Sequence, residues 1–539
     1  MSRLTTGLKK RISLRTGVRV GVIGVGYVGL PLAIGLTEVG FSITGIDISH
    51  EVVKKLRRGN STVEGINDDR LRKALRKGFE LMVVDKQKPE ATPPERLKRL
   101  VGLDVFLVCV PTPLHQSNEW EPDTGYIERA RNLIVRVCEI EKKSGKLPKE
   151  RLIVLESTTY PGTTQEIFSE ILTKFQPKRG KWYLAYSPER MNPGPKAYDR
   201  KTDDPKTRKP GQEFIPGAFQ IERIIGGLDG PSKTVGKQFY ETVFQKVRPV
   251  RNLETAEMIK LVENTFRFTS IAFANEITRL AKALGLNGWE IIDAARSKGF
   301  GFELCTPGLI GGHCLPIDPH YLNSAVRSRR LAATLVDVAE SAHQNMRREA
   351  FDLIQRLLNQ RNHGIAKSSI LFFGVAYKKD VGDIRESAAV KLMEKLYTAG
   401  ARLSFWDPVR AAHPAKPNIR LEFTREEHRS LPKRLANKLT WDGQKSRFYI
   451  GPKEISGEWK NLKKSVRYSK YNCVVLATDH EVFRSAYADL MLIKDAPPIA
   501  DLSNAIERWL KESKLIKGQR SKVRRALNDR KKYTLLGLH

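Results

Sequence analysis

Six residues near the start of the chain restrict its fold more than any others. Gly24-Val25-Gly26-Tyr27-Val28-Gly29 follows the apolar run RVGVIG (Arg19–Gly24) and opens a stretch to Gly40 with a helical pattern. A second apolar run, FSITGID, ends on Asp47, 18 residues after Gly29. Strand, glycine turn, helix and strand in this order make a dinucleotide fold out of what would otherwise be a weak G-x-G-x-x-G match. The first glycine permits the tight turn, the second admits the pyrophosphate to the backbone, and the third lets helix and strand pack closely. The helix N-terminus then favours the pyrophosphate charge. Asp47 is placed to bond ribose hydroxyls and to repel a 2′-phosphate, which favours NAD over NADP. Candidate cofactor contacts are therefore Gly24, Val25, Gly26, Tyr27, Val28, Gly29 and Asp47.

The same alternation of short apolar runs and helical patterns continues. DVFLVCV (104–110) and RLIVLE (151–156) read as buried strands, and 69–77 and 126–141 as helices between them. Beyond Gly364, SILFF (369–373), RLSFW (402–406), CVVLA (473–477) and PIADL (498–502) read as strands around a helix at 387–399. Between the halves, Ala256, Ile259, Val262, Glu263, Phe266, Phe273, Ile277, Leu280 and Leu284 follow a helical period closed by Gly285. The expected class is α/β: two Rossmann-like doubly wound parallel-sheet domains joined by a long central helix and a small helical domain. The expected boundaries are a basic extension over 1–17, an NAD-binding domain over 18–225, and a central helical and dimerisation region over 226–345. A second Rossmann-like domain over 346–507 and a basic tail over 508–539 complete the chain. Segments 196–220 and 425–470 interrupt the pattern and receive no role.

Composition excludes several classes. With 40% hydrophobic and 8% aromatic residues the chain can bury real cores, so it is not disordered throughout. The apolar stretch Val18–Leu36 is broken by Gly21, Gly24, Gly26, Gly29 and Gly35, which argues against a spanning helix. Five scattered cysteines (Cys109, Cys138, Cys305, Cys314, Cys473) make neither a disulfide framework nor a zinc pair, and no metal is expected. That usage fits a reducing compartment, and the expectation is a cytoplasmic protein. The formal net charge of +34 points either to a solvated surface or to an anionic partner.

Two further segments carry chemistry. Val110-Pro111-Thr112-Pro113 ends a strand, where ligand crevices of such sheets lie, making Thr112 a cofactor candidate. Residues 307–319, PGLIGGHCLPIDP, put paired glycines before Cys314 and a carboxylate, Asp318, four residues after it. Glycines permit close backbone approach to a ligand, and the polar setting favours a reactive thiolate at Cys314. Cys109, Cys138 and Cys473 read instead as small buried apolar residues.

In these motifs the chain resembles the UDP-glucose/GDP-mannose dehydrogenases over roughly residues 18–505. The shared marks, in the family's order, are GVGYVGLPLA (24–33), CVPTP (109–113), ESTTYPGTT (156–164) and SPERMNPG (187–194). EMIKLVENTFR (257–267), GGHCLPIDPHYL (311–322), GVAYKKDVGDIRES (374–387) and ATDH (477–480) follow. The resemblance implies oxidation of a primary alcohol to a carboxylate with two NAD. Cys314 would trap the aldehyde as a thiohemiacetal, whose oxidation gives a thioester that water hydrolyses. Lys260 and Asn264, one helical turn apart, would converge on the alkoxide. Asp318 and Thr158 would position and polarise a water, and Glu189 would activate water against the thioester. Thr158 and Arg385 are implied near the cofactor. Glu189, Arg190, Lys260, Asn264, Gly311 and Lys378 are implied at the substrate, Lys378 at its diphosphate.

His313 before the cysteine, Ile317 before Asp318, and Pro193 in place of a second glutamate resemble dehydrogenases of UDP-N-acetylhexosamines. UDP-N-acetylglucosamine is the first expectation, UDP-N-acetylmannosamine and then UDP-glucose the alternatives. A homodimer or higher homo-oligomer formed through the helical middle is implied, with no membrane and no specific nucleic acid as partner. The loop departs from many relatives at Leu309 and Ile310. The basic segments motivate a reading from another class, a nucleic-acid-binding or scaffold protein on a decayed dehydrogenase fold. Against it, every implied catalytic residue is present.

Overall fold

Strands in the first half are apolar along their whole length because both faces of their sheet are covered by helices. The computed structural model describes residues 7–115, 121–190, 217–302, 305–327, 329–407, 409, 470–483 and 497–503. It also describes the backbone of five short strands between 421 and 535. Most of 196–220, 425–470 and 508–539 therefore lies outside the described residues, as do Met191, Pro193 and Gly194. The chain divides into two compact units. One comprises Met1–Asn264 with Ile317–Ala333, the other Thr265–Pro316 with Thr334–His539.

In the first unit, β1 (Arg19–Ile23), β2 (Ser42–Asp47), β3 (Glu80–Val83), β4 (Val105–Val108), β5 (Glu150–Leu155), β6 (Lys181–Tyr186), β7 (Arg223–Gly227) and β8 (Val247–Pro249) form one sheet. Its order is β3-β2-β1-β4-β5-β6-β7-β8. All neighbours are parallel except β6 and β7. The order reverses between β1, which pairs Val20 with Ile43 of β2, and β4, whose Val105 sits opposite Val20. That reversal opens a crevice at the strand C-termini, between the Gly24–Gly29 loop and Val110–Thr112. The basic extension is not a loose tail throughout: Leu8–Leu14 forms a helix whose Leu8 and Ile12 are buried in the core. Arg11 of this helix pairs with Asp104 at 2.5 Å.

In the second unit, β9 (Ser369–Phe373), β10 (Arg402–Trp406), β14 (Lys453–Glu454), β15 (Cys473–Leu476), β16 (Ile499–Asp501) and β17 (Tyr533–Leu535) form a sheet ordered β14-β10-β9-β15-β16-β17. Every pairing in it is parallel. A separate antiparallel sheet is ordered β11-β13-β12, from β11 (Leu421–Phe423), β12 (Thr440–Asp442) and β13 (Arg447–Ile450). Segment 508–539 reads as a basic tail by composition, yet it supplies β17, which covers the edge of β16. Three residues are too few to leave a period in a basic sequence. The helix Thr334–Asn359 buries Leu353, Ile354, Leu357 and Leu358 against Ile370, Phe372, Leu392 and Leu396.

The chain passes between the units inside one helix, Leu253–Ala283, which Gly285 closes with a φ of 72°. Its apolar period does not mark a wholly buried face. Ala256 is buried, but Val262, Phe266, Phe273 and Leu280 are each about half exposed, and Leu284 beyond its end is more exposed still. No helix among the described residues is long and apolar enough to cross a membrane.

Candidate active site

The fingerprint loop shows why each glycine is needed. Gly24 has a φ of 91°, and a Cβ there would lie 2.4 Å from the Cys109 carbonyl oxygen. At Gly29 a Cβ would meet the Gly24 carbonyl oxygen at 1.8 Å, so the turn and the helix start exclude any side chain. Gly26 differs: nothing lies within 4 Å of its missing Cβ. Its backbone is bare toward open space, as close approach of a pyrophosphate requires. Asp47 ends β2 with both oxygens anchored, accepting the Val25 N–H at 3.1 Å and the Ser49 N–H at 2.8 Å. An ionised carboxylate still has acceptor sites left for ribose hydroxyls. The residues present fit a dinucleotide. Thr112 lies half-buried beyond β4, and Thr158 half-buried beyond β5.

The first unit also brings together Lys260, Asn264 and Asp318. Asn264 Nδ2 donates to Asp318 Oδ2. Asp318, the first residue of the helix Asp318–Arg327, is buried. Burial pushes its carboxyl up to about 6, against the opposing pull of the Lys260 charge and the Asn264 hydrogen bond. A carboxyl tuned to that range can exchange a proton near neutrality. Beneath it, Tyr321 donates its hydroxyl to the Pro113 carbonyl at 3.0 Å and packs with Leu261 and Ile317.

Glu189 and Arg190 follow β6. Glu189 receives the Arg190 N–H at 2.7 Å on one oxygen and the Arg223 guanidinium at 2.8 Å on the other. The Arg190 side chain turns to Glu263 of the long helix at 2.5 Å. Glu257, in the EMIKLVENTFR run, caps the Thr163–Phe175 helix. It accepts the Gly162 N–H, the Thr164 N–H at 2.9 Å and the Thr164 hydroxyl, fixing the loop that carries Thr158.

Cys314 belongs to the second unit, half-buried in a loop and not disulfide-bonded. The paired glycines of its loop approach the protein's own chain: a Cβ on Gly311 would lie 2.8 Å from the Glu386 carbonyl oxygen. Gly312, with a φ of 94°, would meet the Tyr377 ring at 2.7 Å. The close approach expected toward a ligand is thus, at these positions, packing onto the GVAYKKDVGDIRES segment. At the loop's start Asn275 pairs with both backbone groups of Gly308, accepting its N–H at 2.8 Å and donating to its carbonyl at 3.0 Å. Behind Asn275 lies His343, whose Nε2 is 3.0 Å from the Phe268 carbonyl and must donate to it. Its Nδ1 then accepts from Asn275 at 3.3 Å. Burial lowers the His343 imidazole to about 4.

Lys378 is half-buried, and burial followed by the nearby Arg267 charge lowers its pKa. Arg385 pairs with Asp383 at 2.6 Å. Burial works to raise the Asp383 carboxyl, but the hydrogen bonds and charge of Arg385 hold it below the usual range. Cys138 and Cys473 are buried as expected and Cys109 is partly so; desolvation pushes all three thiols up to about 12.

Arg223, Asn275 and His343 carry no sequence signal of function, while Glu257 and Asp383 lie inside the EMIKLVENTFR and GVAYKKDVGDIRES marks without standing out there. The comparisons decide the family. Three segments match UDP-glucose/GDP-mannose dehydrogenases: the NAD binding domain over residues 18–244, the central domain over 254–345 and the UDP binding domain over 371–439. The chain belongs to this family. It is 30% identical over 443 residues to the UDP-N-acetyl-D-mannosamine dehydrogenase of Pyrococcus horikoshii, covering 79% of this chain and 95% of that protein. It is 26% identical over 402 residues to the UDP-N-acetyl-D-glucosamine 6-dehydrogenase of Pseudomonas aeruginosa, covering 74% and 84%. The solved UDP-D-ManNAc dehydrogenase from P. horikoshii superposes with a TM-score of 0.65 at 27% identity, over 91% of this chain and 96% of that one. The chain is thus an NAD-dependent UDP-sugar dehydrogenase. Nothing in the comparisons supports the nucleic-acid alternative.

Proposed function

We propose that this dehydrogenase oxidises C6 of a UDP-N-acetylhexosamine to the uronic acid in two steps. The observation that carries the chemistry is the buried Asp318 carboxyl with Lys260 and Asn264 beside it, four residues after Cys314. In this reading Asp318, with Thr158, orients a water that takes the alcohol proton. The Lys260 ammonium and the Asn264 amide stabilise the alkoxide as it forms. NAD, when bound by the Gly24–Gly29 loop and Asp47, supplies a hydride acceptor for each oxidation. Cys314 adds to the aldehyde, and the thiohemiacetal so formed is oxidised to a thioester. Glu189 activates the water that releases the acid. Thr112 and Arg385 are assigned to the cofactor, and Gly311, Arg190 and Lys378 to the substrate, with Lys378 at the diphosphate.

His313, Ile317 and Pro193 support the acetamido class, and so do the names of both relatives. The P. horikoshii relative favours UDP-N-acetylmannosamine, the P. aeruginosa relative UDP-N-acetylglucosamine. NADH formation with UDP-N-acetylglucosamine, UDP-N-acetylmannosamine, UDP-N-acetylgalactosamine, UDP-glucose and GDP-mannose decides the point. Two NADH per sugar are expected; one NADH with accumulated aldehyde would sink the thioester route.

We also infer a homodimer through the central helix. Supporting this are the exposed Val262, Phe266, Phe273 and Leu280 and an adjoining groove of about 580 Å³ lined in part by Met258, Val262, Leu322 and Val326. Phe273→Glu should give monomers by light scattering.

A further inference from the structure

We propose that Arg223 is a positioning residue for release of the acid: it holds the Glu189 carboxylate where it can take a proton from water. This rests on the role given to Glu189 above. Arg223 opens β7 and is 1% exposed. Its Nη1 donates to Glu189 at 2.8 Å, its Nε to the Ser187 hydroxyl at 2.7 Å and its Nη2 to the Ser187 carbonyl at 3.1 Å. Nη2 also donates to Glu156, which receives the Tyr240 hydroxyl as well. The guanidinium lies over the rings of Tyr240 and Phe244, at 5.1 and 5.0 Å.

This is more than a buried cation needs. Glu156 alone neutralises Arg223, and Tyr240 satisfies that carboxylate further. The second carboxylate, Glu189, is not needed for charge balance, and its side chain keeps 15% exposure while Arg223 and Glu156 have almost none. Glu156 and Ser187 end one pair of neighbouring strands, so the guanidinium bolts Glu189 to the C-terminal edge of the sheet. One oxygen of Glu189 takes Arg223 and the other the Arg190 N–H. The 15% exposure of the Glu189 side chain gives water access to this anchored carboxylate.

The step balances. Water oxygen bonds to the thioester carbonyl carbon while its proton passes to Glu189. The carbon–sulfur bond then breaks, Glu189 returns its proton to solvent and the departing Cys314 thiolate takes one up from solvent, leaving a carboxylic acid and a thiol. Among the described residues, the titratable or charged groups facing Glu189 include Arg223 and Glu156, Arg190 with its partner Glu263, and the Cys109 thiol beyond β4. Removing Arg223 takes away the cation bonded to Glu189, so the acid limb of the deacylation profile should move up by about one pH unit.

The test mixes full-length enzyme and excess NAD with whichever nucleotide sugar it turns over. NADH is followed by stopped flow and the quenched protein by intact mass, for Arg223→Met, Arg223→Lys and Glu189→Gln. Circular dichroism and NAD affinity check the fold. The expected result for Arg223→Met is a burst of two NADH per site, a steady rate about 100-fold slower, and acyl mass on Cys314, as for Glu189→Gln. Arg223→Lys should recover part of the rate. If Glu189→Gln stalls as an acyl-enzyme while Arg223→Met turns over at the wild-type rate, Arg223 is overturned and Glu189 stands. If Glu189→Gln carries no acyl mass, the Glu189 reading falls and this proposal with it. Should Arg223→Met not fold, Arg223→Lys decides: deacylation slowed about tenfold with the limb moved supports the proposal, and wild-type deacylation overturns it.

Discussion

Asp318 gives a prediction in which stability and activity move in opposite directions. Its carboxyl titrates at about 6 in the folded chain, against an ordinary value of 3.8, chiefly because burial disfavours the ion. The folded state therefore holds this proton more tightly than the unfolded one. Stability is lost as pH rises through the window between those values, by about 3 kcal/mol in full. Asp318→Asn removes that dependence and keeps the shape. Its own offset, including the charge partner lost to Lys260, does not vary with pH while Lys260 stays ionised. The stability of Asp318→Asn relative to wild type should thus rise by about 2.4 kcal/mol between pH 4 and pH 7. Urea unfolding followed by circular dichroism at several pH values measures it, and all other groups cancel in the difference. The same substitution should abolish NADH formation, and wild-type turnover should fall below about pH 6 as Asp318 takes up its proton. A stability gap constant to within about 0.5 kcal/mol across that range would refute the reasoning.

Gly26→Ala should leave the melting temperature unchanged and weaken NAD binding at least about tenfold in a fluorescence titration, because its Cβ enters open space. Gly29→Ala should lower the melting temperature, because its Cβ collides with the Gly24 carbonyl. His343, lowered to about 4 against an ordinary 6.5, has the opposite sign to Asp318. Its contribution is present above 6.5 and lost as pH falls, so wild type should lose about 3 kcal/mol of its advantage over His343→Gln between pH 7 and pH 4 in urea titrations. Neutralising the Lys and Arg of 508–532 while keeping 533–539 should flatten the salt dependence of KM and spare kcat. Truncation after residue 507 should lower the melting temperature, because it strips β17 from β16.

Much of the fold was legible because its determinants are local. Ser369–Phe373 and Arg402–Trp406 are strands over the residues their apolar runs mark. Gly24, Gly26 and Gly29 announce a turn whose chemistry no other residue type can replace. What could not be read is what depends on strand order. Arg223 meets Glu156 across 67 residues, and Asn275 meets Gly308 across 33, because the topology sets their neighbours side by side. Sequence gives residue types and local spacing but not which strand ends are adjacent. It therefore reached the residues proposed for the chemistry, Cys314 and Asp318, together with Asn264 beside Asp318, and missed Arg223 against Glu189 and Asn275 at the start of the Cys314 loop. The glycines of the Cys314 loop show the same limit. Their need for space was plain, but Tyr377 and Glu386, which fill it, lie more than sixty residues away in sequence.

The net charge of +34 separates from this machinery on physical grounds. A buried ion is costly unless paired, so these interior cations each have a buried carboxylate partner: Arg151 has Glu141 at 2.6 Å, and Arg223 has Glu156, with the partly exposed Glu189 as a second. Such pairings act over one hydrogen bond and fix geometry. The surplus sits elsewhere, +6 in residues 1–19, +8 in 425–470 and +9 in 508–539. Even there part is committed, since Arg11 pairs with Asp104 and Arg19 donates to the Val101 and Arg99 carbonyls. The remainder acts through a field that salt screens within about 10 Å. It can raise the encounter rate of dianionic cofactors and nucleotide sugars, but it cannot orient a C6 alcohol. Ionic strength should therefore reach this enzyme through association, while pH reaches it through the buried carboxyls that balance the fixed cations.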